Sequence, residues 1–219
     1  MTTIVGIQGD GFSVLCTDSR ISTIDEAGNS NPMSTLGSGM SKIAQNGPYL
    51  IGAAGDVRAI NLLQHVFVPP TPQTNLKGKK LDAFITAKFI PAIRECFEKQ
   101  GYGSSEAGKA PAGHDSLIII SIHSTIYVID GDYSWITDAT GFYCIGSGAG
   151  YALGALHVLS PKRKPALSTS KALAIKAISA AAKYDSNTGA PYHTFIQEQP
   201  AKKVSPKKAL PKQTQKRIK

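Results

Sequence analysis

No apolar run in the chain approaches the ~18 residues that a membrane-spanning helix needs, and the first residues lack the basic-then-apolar plan of a secretory leader. These two absences point to a cytoplasmic protein with no membrane partner. Cysteine is scarce too. Cys16, Cys96 and Cys144 are odd in number, far apart and set in apolar surroundings, which suits reduced core thiols better than a disulfide or zinc framework. The five histidines show no H-x-x-x-H spacing, and Cys144 carries no local signature of a thiol protease. Neither a metal nor another cofactor is therefore expected.

Acidic residues are missing from one stretch altogether. Between Ala201 and Lys219 stand eight basic residues (Lys202, Lys203, Lys207, Lys208, Lys212, Lys216, Arg217 and Lys219) and no Asp or Glu. Removing these eight from the 24 basic residues leaves 16 against 15 acidic ones, so the net charge of +9 belongs to the tail and the body is near neutral. With Pro200, Pro206 and Pro211 and no apolar period, the segment 200–219 is expected to be a disordered basic tail. At most it offers a weak, salt-sensitive attraction to nucleic acid or an acidic partner. The remaining 1–199, in a chain that is 42% hydrophobic and 18% charged, suffices for one domain with one sizeable core.

The apolar periods predict the elements in turn. Thr3 to Gln8 and Phe12 to Thr17 read as a hairpin turning at Gly9-Asp10-Gly11. Its pairing would place Thr2 at a sheet end, near Asp18 at the end of the return strand. Ile24 to Met40 is rich in Gly, Ser, Asn and Asp and reads as a loop, and Pro48 to Ala54 reads as a buried strand closed by Gly55. Asp56 is placed to cap a helix through about Phe67. Leu81 to Phe97 keeps helical spacing, with a bend expected at Pro91. Gln100 to Gly113 is a connection. Strands follow at Leu117 to Ile122, Thr125 to Ile129, near Trp135 and at Phe142 to Ile145, then a helix over Tyr151 to Leu159. Ser170 would cap a helix through Tyr184, and Tyr192 to Gln197 closes the chain as a strand. This order fits an α+β fold, a four-layer αββα sandwich of two antiparallel sheets flanked by helices.

The chain opens Met1-Thr2-Thr3. With Met1 trimmed, Thr2 carries a hydroxyl and a free α-amine whose reference pKa is ~7.7–8.0, so one residue supplies both nucleophile and base. Downstream stand Asp18-Ser19-Arg20, Lys42-Ile43 followed by Pro48-Tyr49-Leu50-Ile51-Gly52, the Ala54-Gly55 turn, Gly146-Ser147-Gly148 with Tyr151-Ala152-Leu153-Gly154, and Asp185 with Thr188-Gly189. Taken singly each has a plain structural reading: a strand start, a surface turn, a solvated cation, a helix entry.

Together and in this order, over about residues 2–197, they resemble proteasome β-subunits and the amino-terminal-nucleophile hydrolases. The opening residues are most similar to the bacterial heat-shock-locus peptidase. The resemblance implies a threonine-type endopeptidase in which Thr2 attacks, Lys42 and Asp18 tune its proton affinity, and the Gly55 N–H receives the oxyanion. Ser147, Asp185 and Thr188 would hold the terminal amine. Arg20, Ser22, Ala53 and Ala54 fall where the family binds substrate, Ser22 as part of an edge that takes peptide as an added strand. The small residues at 53 and 54 hint at room for a bulky substrate side chain. The resemblance also implies a homo-oligomeric ring, unfolded protein or peptide as substrate, and an ATPase unfoldase partner. Several features depart from the family: the segment between Asp18 and Lys42 is about eight residues longer than usual, Thr188 stands where serine is customary, and the loop at Pro69-Pro70, the connection near Gly103 to Gly113 and the basic tail exceed the compact bacterial pattern. A non-catalytic shell protein and an amidohydrolase acting on a small amide are the alternatives.

Overall fold

The computed structural model describes residues 2–25, 27, 30–37, 39–103, 113–160 and 165–199. Met1, the tail 200–219 and most of the connection between Gln100 and Gly113 lie outside the described residues.

The described chain runs β1 (Thr3–Gln8), β2 (Phe12–Thr17), β3 (Arg20–Ile24), β4 (Ser30–Thr35), β5 (Ile43–Asn46), β6 (Tyr49–Ala54), α1 (Val57–His65), α2 (Lys79–Phe84), α3 (Ile90–Lys99), β7 (Leu117–Ile122), β8 (Thr125–Ile129), β9 (Trp135–Ile136), β10 (Phe142–Gly146), α4 (Ala149–Leu159), α5 (Leu167–Tyr184) and β11 (His193–Glu198). One antiparallel sheet has the order β10-β1-β2-β11 and a second the order β5-β6-β7-β8-β9, while β3 and β4 form a separate two-stranded ribbon. No helix among these residues is long and apolar enough to cross a membrane.

The period of two along each strand builds the layers. In β1, Val5 and Ile7 pack with Val14 and Cys16 of β2 against Leu156 of α4 and Ala174, Ala177 and Ile178 of α5. Ile4, on the opposite face, meets Leu15, Ile119, Ile126 and Tyr143 between the sheets. The second sheet repeats the rule: Ile119 faces inward, whereas Ile118, Ile120 and Ile51 face Leu63, Leu81, Phe89, Ile93 and Phe97 of the helices on the far side. Both sheets are thus buried on two faces, so their strands read as near-continuous apolar runs, and the layers are αββα as expected.

Several local expectations are corrected. The stretch from Ile24 to Met40 is not wholly loop, because β4 pairs antiparallel with β3, with a register irregularity between Ile21 and Ser22. Ser, Asn and Pro have little β-propensity, and here the ladder's own backbone bonds outweigh it. Ile43–Asn46, between that expected loop and the strand expected from Pro48, is itself a strand in register with β6. α5 begins at Leu167, with Ala166 as an N-cap that makes no side-chain bond. Ser170 is therefore an interior, buried residue and not the cap. Burial of Leu173, Ala174 and Ala177 sets that helix more than a capping hydroxyl does. A wide π-type turn over Ile85–Phe89 links α2 to α3, with Pro91 at the start of α3. A widened turn of this kind lets an uninterrupted helical path accommodate a residue that has no N–H.

Candidate active site

The registers of the first sheet bring three strand ends together. Thr3 pairs with Gly146 of β10, and Ile4 pairs with Thr17 of β2. Thr2, buried just before β1, is therefore flanked by Asp18 on one side and by Gly146-Ser147 on the other. Gly146 has φ +96, and a Cβ there would come within 1.8 Å of the Thr2 carbonyl oxygen, so only glycine admits this approach.

Asp18 is fully buried, and its carboxylate is saturated with donors. Oδ1 accepts from the Thr3 N–H at 3.0 Å and from the Lys42 Nζ at 2.7 Å. Oδ2 accepts from the Arg20 N–H at 3.0 Å and the Gly189 N–H at 3.1 Å. Lys42 is also fully buried, so the pair is shielded from water. Burial pushes the Lys42 ammonium below its ordinary pKa, and the Asp18 carboxylate opposes that shift without cancelling it. The longer segment between the two residues is taken up by the β3–β4 ribbon, which leaves Lys42 next to β5 and against Asp18.

A second polar cluster closes from the other side. Asp185 Oδ2 accepts from Ser147 Oγ at 2.8 Å and Thr188 Oγ1 at 2.5 Å, and Oδ1 accepts from the Asn187 N–H and Nδ2 at 3.1 and 3.2 Å. Burial favours the neutral acid, but these donors together outweigh it and hold the Asp185 carboxyl below its ordinary range. Ser147 Oγ also lies 3.5 Å from the Thr2 carbonyl oxygen, at the outer limit of a hydrogen bond. Thr188 Oγ1 lies 2.5 Å from Thr3 Oγ1. Because the single Thr188 hydrogen is directed at Asp185, the Thr3 hydroxyl is the donor in that contact. Thr3 and Asn187 were not anticipated as parts of the site. The Asp-x-Asn spacing of an Asx turn was a visible signal for Asn187, whereas nothing local marks the Thr3 hydroxyl.

Thr2, Gly55, Ser116, Gly146 and Ser147 line a cavity of about 350 Å³, with Asp115 and Asp130 also on its walls. Ala54 lines it too, while Ala53 is turned into the core under α1. The Arg20 guanidinium is occupied elsewhere: it donates to the Ser186 carbonyl at 2.8 Å and lies against Gly189. It thus ties the start of β3 to the Asp185 turn. Ser22 is buried, and its hydroxyl has no hydrogen-bond partner among the described residues. A cavity of about 380 Å³ lined by Pro48, His123 and Gln199 sits at the other end of β6 and contains none of the predicted residues. Among the described residues no group of three or more His, Cys, Asp or Glu side chains could hold a metal ion.

Two antiparallel sheets enclosed by helices make an αββα sandwich, with the polar constellation at the start of an inner strand. Solved structures give a more particular likeness. The chain is similar to Thiobacillus denitrificans BPH in complex with epoxomicin, at 17% identity and a TM-score of 0.66, over 90% of this chain and 99% of that one. It is similar to Thiobacillus denitrificans BPH alone, at 17% identity and a TM-score of 0.64, over 91% and 99% of the two chains. It also matches eukaryotic HslV from Trypanosoma brucei at 21% identity and a TM-score of 0.58, over 90% and 99%. The fold of this chain is thus that of HslV-type structures. No family model and no curated protein matches the sequence.

Proposed function

We propose that the chain is a threonine-type endopeptidase whose nucleophile is Thr2, exposed by removal of Met1. The observation that carries this reading is the convergence of the buried Lys42–Asp18 pair and the Ser147–Asp185–Thr188 cluster on the residues that start β1. The Thr2 α-amine takes the proton from its own Oγ, which attacks the peptide carbonyl carbon. The tetrahedral oxyanion lies on the Gly55 N–H. The C–N bond then breaks as the amine passes its proton to the leaving nitrogen, and water, deprotonated by the same amine, hydrolyses the resulting ester.

A cation at Lys42 lowers the proton affinity of both the amine and the hydroxyl, and Asp18 keeps that cation in place. Ser147, Asp185 and Thr188 aim the amine. The edge of β3 that β4 does not pair, around Ser22, receives the peptide backbone as an added strand, with Ala54 at the cavity wall. Arg20 serves this edge by anchoring it to the Asp185 turn.

Assembly into a homo-oligomeric ring fits the apolar side chains left exposed on α4 and α5, among them Val158 and Tyr184, at 81% and 71% exposure. An ATPase unfoldase would deliver protein substrates to such a ring. A cytoplasmic setting fits the three unpaired cysteines.

The test begins with intact mass and amino-terminal sequencing of the purified full chain. Loss of Met1 is expected, and its retention refutes the mechanism, since the base is then an amide. Epoxomicin, which the Thiobacillus protein binds, is expected to add covalently to the mature chain and not to Thr2→Ala. Cleavage of small amides without cleavage of any unfolded protein would move the assignment to an amidohydrolase, and no capture at all would leave a shell protein.

A further inference from the structure

Gly55 sits at φ +133, and its peptide plane must be held for its N–H to point at a reacting carbonyl. On one side the hold is the β-ladder, where Ala54 pairs with Leu117 of β7. On the other side no strand continues. There the Asp56 N–H donates to the Ser116 Oγ at 3.1 Å. Ser116 immediately precedes β7 and is buried, and its hydroxyl lies 2.9 Å from the Tyr102 hydroxyl. The oxygen has one lone pair for Asp56 and keeps its hydrogen and second lone pair for Tyr102.

Tyr102 is itself immobilised, edge-on to Phe97 and with the Arg58 guanidinium 5.9 Å from its ring centroid. Arg58 in turn donates its backbone N–H to the Asp56 carboxylate at 2.8 Å, which caps α1. Ser116 is fixed from behind as well, its N–H donating to His114 Nδ1 at 3.3 Å. A Cβ on Gly55 would fall 2.4 Å from the Asp115 carbonyl oxygen and 2.7 Å from Ser116 Oγ, so the turn is pressed directly against this support.

We propose that Ser116 is a positioning residue for the oxyanion site: its hydroxyl, backed by Tyr102, holds the Gly55–Asp56 peptide, and by fixing the Gly55 backbone torsions from the side that the β-ladder does not reach it keeps the Gly55 N–H aimed. The inference rests on the assignment of Gly55 as the oxyanion donor to Thr2. Ser116 does not transfer a proton. It makes the donor rigid before the charge develops, the condition under which such a donor is worth ~10²–10³ in rate.

The test compares the full-length mature protein with Ser116→Ala and Tyr102→Phe, using a peptide substrate, a peptide boronate that forms a tetrahedral adduct on Thr2, and an unreactive peptide of the same sequence. Ser116→Ala is expected to lower kcat about tenfold, a misaimed donor losing part of the full effect. KM and the affinity for the unreactive peptide should change less than twofold, and boronate affinity should fall in parallel with kcat. Tyr102→Phe, which leaves the Asp56 bond in place, should show the same pattern at smaller size. It also carries the test if Ser116→Ala does not fold. Unchanged kcat and boronate affinity overturn the proposal, as does an equal fall in affinity for boronate and unreactive peptide, which would signal general loosening. If the parent protein forms no boronate adduct, the Thr2 assignment fails and this inference with it.

Discussion

Lys42→Met and Asp18→Ala each remove one half of the same buried ion pair, yet the surrounding bonds predict unequal damage. Removing Asp18 leaves the Lys42 ammonium without the carboxylate at 2.7 Å in a site with no exposure, and leaves the N–H groups of Thr3, Arg20 and Gly189 without that acceptor. Breaking a buried pair in this way costs about 3–5 kcal/mol, a large share of the ~5–15 kcal/mol that holds a domain together. Removing Lys42 instead leaves the Asp18 carboxylate with three backbone donors, so the charge remains compensated, and methionine fills the volume. The loss from the Asp18 side is a charge-assisted hydrogen bond, about 1.5–3 kcal/mol. Activity should not follow stability: Lys42→Met has no cation, and in Asp18→Ala the buried Lys42 loses the carboxylate that favours its charged form, so in both the Thr2 amine and hydroxyl return toward their ordinary proton affinities and activity should fall to background. Urea unfolding with linear extrapolation measures the first quantity, and the rate of covalent capture at Thr2 measures the second. A Lys42→Met protein that is as unstable as Asp18→Ala, or one that keeps parental activity, would refute this account of the pair.

Two further outcomes follow from the same geometry. The folded-state pKa of Asp185 is depressed below its ordinary 3.8, so its stabilisation is fully present above the unfolded pKa and is lost as pH falls through the lower folded value. The stability gap between the parent and Asp185→Asn, from denaturant midpoints between pH 6 and 2, should be constant above about pH 5 and shrink in the acid range; a gap independent of pH contradicts the hydrogen-bond assignment. Gly55→Ala must place a side chain at φ +133 with its Cβ 2.4 Å from a backbone oxygen, which should abolish turnover and lower stability by at least ~1–3 kcal/mol, read by thermal unfolding.

The inner strands of both sheets were legible because their apolar runs are long and buried on two faces. Ile4, Leu15 and Ile119 announce themselves without any partner being known. The β3–β4 ribbon was hidden because Ser, Asn and Pro carry no apolar period, and its pairing is a matter of backbone bonds that composition does not encode. β5 escaped for a related reason, since four residues are too few to display a period. The candidate site was legible as an ordered set of motifs and not as geometry. Lys42 was the weakest member by spacing, and the ribbon that lengthens the segment also explains how that spacing is absorbed.

By itself, the sequence determined the alternation that makes the two sheets, the near-neutral body with its basic tail, and the placing of Thr2 immediately ahead of the first strand. Only the tertiary structure decided what that threonine starts beside. The contacts that matter join residues 24, 38 and 185 positions apart, from Lys42 to Asp18, Ser147 to Asp185 and Thr3 to Thr188. Such contacts are set by strand register and helix docking, which no local window of residues contains. The burial of Lys42 and the support of Gly55 by Ser116 belong to the same category: both are properties of where chains meet.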